Sequence, residues 1–201
     1  MSDHVTHQVA PIDGDLIGQE AIKTSVREAY RAVIGTATSV AERLYDPEQL
    51  ALLPRGAIEQ ALGVGNPVRA AGLQPGEVVI DLGSGGGIDT LLAAHAVAPG
   101  GRAIGLEMLP EMLEVAARHA AQAGVRNVEW LRGEMEAIPL PDGSVDVVIS
   151  NGVLNLSPRK SRAFAEIFRI LRSGGRMVVA DTVVDEDLPP EILTNAAAWA
   201  G

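Results

Sequence analysis

Seven consecutive residues, Asp81-Leu82-Gly83-Ser84-Gly85-Gly86-Gly87, carry the strongest chemical signal in this sequence of 201 residues. A glycine-rich turn between a strand and a helix lets backbone approach a ligand closely and aims free helix N–H groups at it. Its spacing narrows the ligand. Glycines stand at 83, 85, 86 and 87, but Ile88 occupies the place where a dinucleotide fingerprint starting at Gly83 wants Gly or Ala. No Gly-Lys-Ser/Thr ending is present, so the turn is not a phosphate-binding P-loop. It contains no Lys or Arg, and Asp81 and Asp89 flank it. That charge disfavours a triphosphate and tolerates a cationic sulfonium ligand.

Two further acidic positions fall where such a ligand would need them. Glu107 ends an apolar run, and a carboxylate at a strand end can accept hydrogen bonds from both hydroxyls of a ribose. Gly133-Glu134-Met135-Glu136 follows the next run. There an acid can accept from an adenine amino group, and a methionine can pack on the ring. Each acid alone reads as a solvated surface charge; their placement at successive strand ends favours a shared site.

The elements that must position these residues alternate. Val78 to Leu82 reads as a buried parallel strand, followed by a helix from about Ile88 to Val97. Arg102 to Met108 is a second strand. Pro110 suits the first turn of the next helix and Gly124 its C-terminal cap. Val128 to Leu131 and Val145 to Ser150 are strands three and four. Ser157 and Pro158 are placed to start a helix ending near Arg172, which Gly174-Gly175 stops, and Arg176 to Val184 is strand five. This βαβ alternation predicts an α/β, Rossmann-like, doubly wound and mostly parallel sheet, with ligands at the carboxyl ends of its strands. Upstream, residues 1–18 read as a disordered tail. Residues 19–74 form a helical segment, with Ile22, Val26, Ala29 and Val33 on one stripe of its first helix, and residues 75–201 form the core.

Composition bounds the rest. Hydrophobic residues make up 47%, enough for a packed core, and no apolar run approaches the roughly 20 residues of a membrane span. The N-terminus lacks a basic start and an apolar core, so a soluble cytoplasmic protein is expected. A net charge of −10 argues against nucleic acid as a partner. There is no cysteine, so thiolate nucleophiles, disulfides and Cys-bound zinc are excluded, and the four histidines show no metal spacing. His95 and His119 read as surface or partly buried structural residues.

These motifs carry a resemblance. Val79 to Gly87, Ile104-Gly105-Leu106-Glu107-Met108 and Asp142 to Asn151 look like class I S-adenosylmethionine (SAM) dependent methyltransferases. Leu62-Gly63-Val64-Gly65-Asn66-Pro67, Pro110-Glu111-Met112-Leu113-Glu114 and Ser150 to Pro158 are similar to the arsenite methyltransferase family. Gly152 and Val64 stand where that family has cysteines. The resemblance implies SAM as methyl donor, leaving as S-adenosylhomocysteine. Its implied cofactor-binding set is Asp81, Gly83, Ser84, Gly85, Gly87, Asp89, Glu107, Met108, Met112, Glu134, Met135, Glu136 and Asn151.

The expected activity is methyl transfer to a small-molecule acceptor, with Tyr30, Asn151 and Asn155 as pocket-lining candidates and no catalytic residue named. Packing of the first helix is the alternative role for Tyr30, and capping at the start of the following helix that for Asn155. A SAM-binding but inactive module is the alternative function; a nicotinamide-dependent reductase fits less well because of Ile88. Related domains carry a strand hairpin beside strand five. Only 17 residues follow Val184 here, so that hairpin is expected to be missing. Strand five would then be an apolar edge, in a truncated chain or one that pairs as a homodimer.

Overall fold

A computed structural model describes residues 38–183 together with helical positions 21, 22, 24, 25 and 28. Ile22, on the predicted stripe, is buried. The tail before residue 19, Tyr30 and everything after Val183 lie outside the described residues.

After those helical positions the described elements begin with four short helices: α1 (Thr38–Leu44), α2 (Pro47–Leu50), α3 (Arg55–Glu59) and α4 (Pro67–Ala71). Asn66 caps α4 by accepting the Arg69 amide at 3.0 Å, ahead of Pro67 in the first turn. The alternating part follows as β1 (Val78–Leu82), α5 (Ile88–Ala96), β2 (Arg102–Glu107), α6 (Pro110–Ala123), β3 (Val128–Arg132), β4 (Val145–Asn151), α7 (Lys160–Ile170) and β5 (Leu171–Ala180). All five strands are parallel, in the order β3-β2-β1-β4-β5. The chain runs outward from β1 through β2 to β3, then restarts on the other side with β4. The carboxyl ends of β1 and β4 therefore flank the switch point where open sheets bind ligands.

The core has two layers, one on each side of the sheet. Val79, Val147 and Ile149 pack with α5 and with Tyr45, Ala61 and Val68 from the first helices. Ile80, Leu82, Ile104, Leu106 and Val148 pack with Ala163, Ile167 and Ile170 of α7.

The region around α7 departs from expectation. The helix starts at Lys160, with Arg159 rather than Ser157 in the capping position. Ser157 instead accepts the Arg159 amide at 3.2 Å and donates to Glu136 at 2.5 Å. The helix also ends earlier than Gly174-Gly175 suggested. Its last carbonyls, on Arg169 and Ile170, accept from the Gly143 and Ser144 amides at 2.9 and 2.8 Å, so the preceding turn satisfies them. Leu171 then enters the sheet opposite Val145, and the glycines form an irregularity before Arg176 pairs with Val147. Among the described residues β5 is an edge strand. Met177 shares the sheet face of its partner Val148, which is the α7 face. Val179 lies on that same face, and both are exposed, as are Phe164 and Phe168 of α7. No helix among the described residues is long and apolar enough to cross a membrane.

Candidate functional site

The glycine-rich turn is fastened to the end of β2. The amides of Gly83 and Ser84 both donate to the Leu106 carbonyl, at 2.8 and 3.0 Å. One residue on, Glu107 turns its carboxylate back to the turn. Oε2 accepts the Gly85 amide at 3.1 Å, and Oε1 accepts those of Met108 and Leu109 at 2.8 and 2.9 Å. Burial pushes the Glu107 carboxyl above its ordinary range, and these three amides act against that shift. An ionised carboxylate offers about four acceptor sites, and the backbone occupies three, which leaves capacity for a ligand hydroxyl.

Glycine is required at the turn for more than one reason. Gly83, Gly85 and Gly87 all have positive φ, at 71°, 50° and 89°. A Cβ on Gly83 would stand 2.8 Å from Val153, and one on Gly87 would stand 2.8 Å from Trp130 and 3.2 Å from Ala116. A Cβ on Gly85 would meet nothing within 4 Å. Gly85 is the place where a ligand can lie against bare backbone.

Gly83, Gly85 and Glu107 form one wall of an open-mouthed cleft of about 730 Å³, including its solvent-filled mouth. Met108, Leu109 and Met112 form the side beyond β2, Glu134, Met135 and Glu136 the side beyond β3, and Val153, Leu156 and Ser157 come from the segment after β4. Among the described residues the charged side chains on these walls are all carboxylates.

Eight of the residues expected at the site thus share one cleft: Gly83, Gly85, Glu107, Met108, Met112, Glu134, Met135 and Glu136. Asp81, Ser84, Gly87, Asp89 and Asn151 do not line it. Asp81 accepts from Thr90 Oγ1 at 2.7 Å and is buried beneath the turn. Asp89, in the first turn of α5, accepts from the Tyr45 hydroxyl at 2.8 Å and from Asn151 Nδ2 at 2.9 Å. Burial raises the carboxyl of Asp89 to about 6, and burial together with the nearby Asp89 charge raises that of Asp81. Asn151 is spent on its neighbours. Its Oδ1 accepts the Val64 and Gly65 amides at 2.8 and 3.1 Å, and its Nδ2 also donates to the Gly65 carbonyl at 2.9 Å.

Asn155 neither lines the cleft nor caps α7. Its amide donates to Asp181 at 3.0 Å and its side chain to Asp181 and to the Thr182 carbonyl, which ties it to the end of β5. Tyr30 is outside the described residues. Sequence reasoning gave no site role to Tyr45, Val153, Leu156 or Ser157, although Ser150 to Pro158 is among the segments that carry the resemblance and Ser157 was expected to start a helix. It also placed His119 at the surface or partly buried, whereas that side chain is 6% exposed.

Residues 73–201 match a family described as "Methyltransferase domain". An arsenite methyltransferase of Halobacterium salinarum is 44% identical over 172 residues, covering 82% of this chain and 44% of that protein. A demethylmenaquinone methyltransferase of Lactococcus lactis is 36% identical over 104 residues, covering 52% and 41%. Against both curated relatives the chain spans less than half of their length. Among solved structures, an arsenic(III) S-adenosylmethionine methyltransferase from Chlamydomonas reinhardtii superposes with a TM-score of 0.61 at 33% identity, covering 85% of this chain and 56% of that one.

Proposed function

From the chain's membership of the methyltransferase-domain family, we propose that it is a SAM-dependent methyltransferase of small molecules. The cofactor is SAM, which supplies a methyl group on an electrophilic sulfonium. The observation that carries the reading is the Glu107 carboxylate, which pins the Gly85 amide while facing the cleft. The residues present fit the cofactor. Gly85 leaves open space beside the backbone, Glu107 keeps an acceptor site for a ribose hydroxyl, and Met108, Met112 and Met135 give a soft apolar bed for an adenine ring. Glu107, Glu134 and Glu136 favour a cation over a polyphosphate.

The protein's work in methyl transfer is to hold the two reactants in line and exclude water. Among the described residues the cleft walls carry no His, Lys, Tyr or Cys. We infer that the acceptor brings its own strong nucleophile. The name shared by the Halobacterium relative suggests trivalent arsenic. Soft metalloids need soft ligands, and these 201 residues contain no thiolate, so the acceptor in that case arrives already bound to a small thiol such as glutathione.

Calorimetric titration with S-adenosylhomocysteine, followed by methyl transfer from labelled SAM to a panel of thiol, phenol, amine and glutathione-bound arsenic(III) acceptors, tests the reading. Binding with transfer to one class supports it. Binding without any transfer supports a SAM-binding module instead. No binding overturns both.

A further inference from the structure

A histidine outside the cleft lining contacts the glycine turn. His119 projects from α6, and its Nδ1 lies 2.8 Å from the Gly86 carbonyl oxygen. A carbonyl only accepts, so Nδ1 carries the proton and donates. Gly56 of α3 packs on the imidazole so closely that a Cβ there would stand 2.5 Å from Nε2. The far side of the same peptide unit is also tied, because the Gly87 amide donates to the Ser84 carbonyl at 2.8 Å.

Three consecutive glycines give peptide units little steric resistance to rotation. The Gly86–Gly87 unit adjoins Gly85, whose amide meets Glu107 and whose open side faces the cleft. Its carbonyl is gripped by a buried side chain from another helix, so a flip would strand a buried donor on His119. We propose that His119 is a positioning residue for cofactor binding, acting through the Gly86 carbonyl to hold the Gly85 backbone where the ligand meets it. The inference rests on the cofactor reading of the cleft.

The test compares wild type, His119→Leu and His119→Asn. The Asn amide nitrogen occupies nearly the place of Nδ1 and keeps a donor; Leu removes it. Affinity for S-adenosylhomocysteine is measured by calorimetry, the fold by thermal melting, and the turn by hydrogen exchange at the Gly87 amide. His119→Leu is expected to lose about tenfold in affinity, the scale of one buried hydrogen bond, and to exchange Gly87 faster. His119→Asn is expected to recover most of both. Wild-type affinity and exchange in a folded His119→Leu, or equal losses in Leu and Asn, would overturn the proposal. Should the Leu variant not fold, Gly56→Ala displaces the ring instead and is expected to reproduce the loss; unchanged affinity and exchange there would overturn it too. If wild type fails to bind, the reading of the cleft falls, while the exchange comparison still decides whether His119 holds the turn.

Discussion

The Tyr45 hydroxyl donates to Asp89 across 2.8 Å, joining the residue after α1 to the first turn of α5. Both side chains are about 4% exposed. Burial pushes the Tyr45 phenol up, so it remains a donor throughout the working range, and raises the Asp89 carboxyl to about 6.

A raised carboxyl has a definite consequence for stability. The folded state holds the Asp89 proton more tightly than the unfolded chain. The stabilisation is therefore complete below the ordinary carboxylate range near 4 and is lost as pH rises through about 6. Asp89→Asn keeps the shape without the charge. The melting temperature of Asp89→Asn relative to wild type should rise between pH 4 and pH 7, by the equivalent of about 3 kcal/mol at most. A difference that is flat over that window would contradict the burial argument.

Removing the carboxylate that faces the cleft should act on binding. Glu107→Ala is expected to weaken binding of S-adenosylhomocysteine by roughly 1–3 kcal/mol, the scale of charge-assisted hydrogen bonds. Glu107→Gln should lose less, because one oxygen still accepts. Calorimetry on both variants checks this.

Two glycines of one turn should respond differently to the same methyl group. Gly87→Ala combines a φ of 89° with a Cβ placed against Trp130 and Ala116, and should cost stability by about 2–4 kcal/mol. Gly85→Ala has a φ of 50° and open space, so its cost to the fold should be about 1 kcal/mol. Its methyl would project where we place the ligand, so its loss should appear mainly in affinity. Denaturant melts and calorimetry on both variants separate the two effects.

The β5 edge carries the expectation of self-association. Met177 and Val179 are exposed, and so is Phe168 of α7, which is 83% exposed. We expect concentration-dependent dimers by sedimentation velocity, and their loss on Met177→Lys, since a charge on an edge strand opposes pairing. A monomer at all concentrations would remove this edge from the account.

Features set by neighbouring residues were legible in the sequence. The turn after β1, Pro110 at the start of α6 and Gly124 at its end each follow from local chemistry, and so does the strand end that bears Glu107. Features set by distant partners were not. Nothing near Asn151 indicates that its carboxamide will be consumed by Val64 and Gly65, 86 to 87 residues away. The end of α7 was misplaced because amides at 143 and 144 satisfy its carbonyls, a contact no glycine signal reveals. His119 looked ordinary because its partner is a backbone oxygen 33 residues earlier.

The bonds from Gly83, Ser84 and Gly85 to the end of β2 are made entirely between protein groups. A molecule entering the cleft therefore meets a surface that has little left to organise, and the entropic cost of ordering the loop falls on folding rather than on association. Encounter should be a single step, accelerated for cations by a chain of net charge −10 and slowed by added salt. Differences in affinity among ligands of this cleft should then appear in how long each stays, not in how fast each arrives.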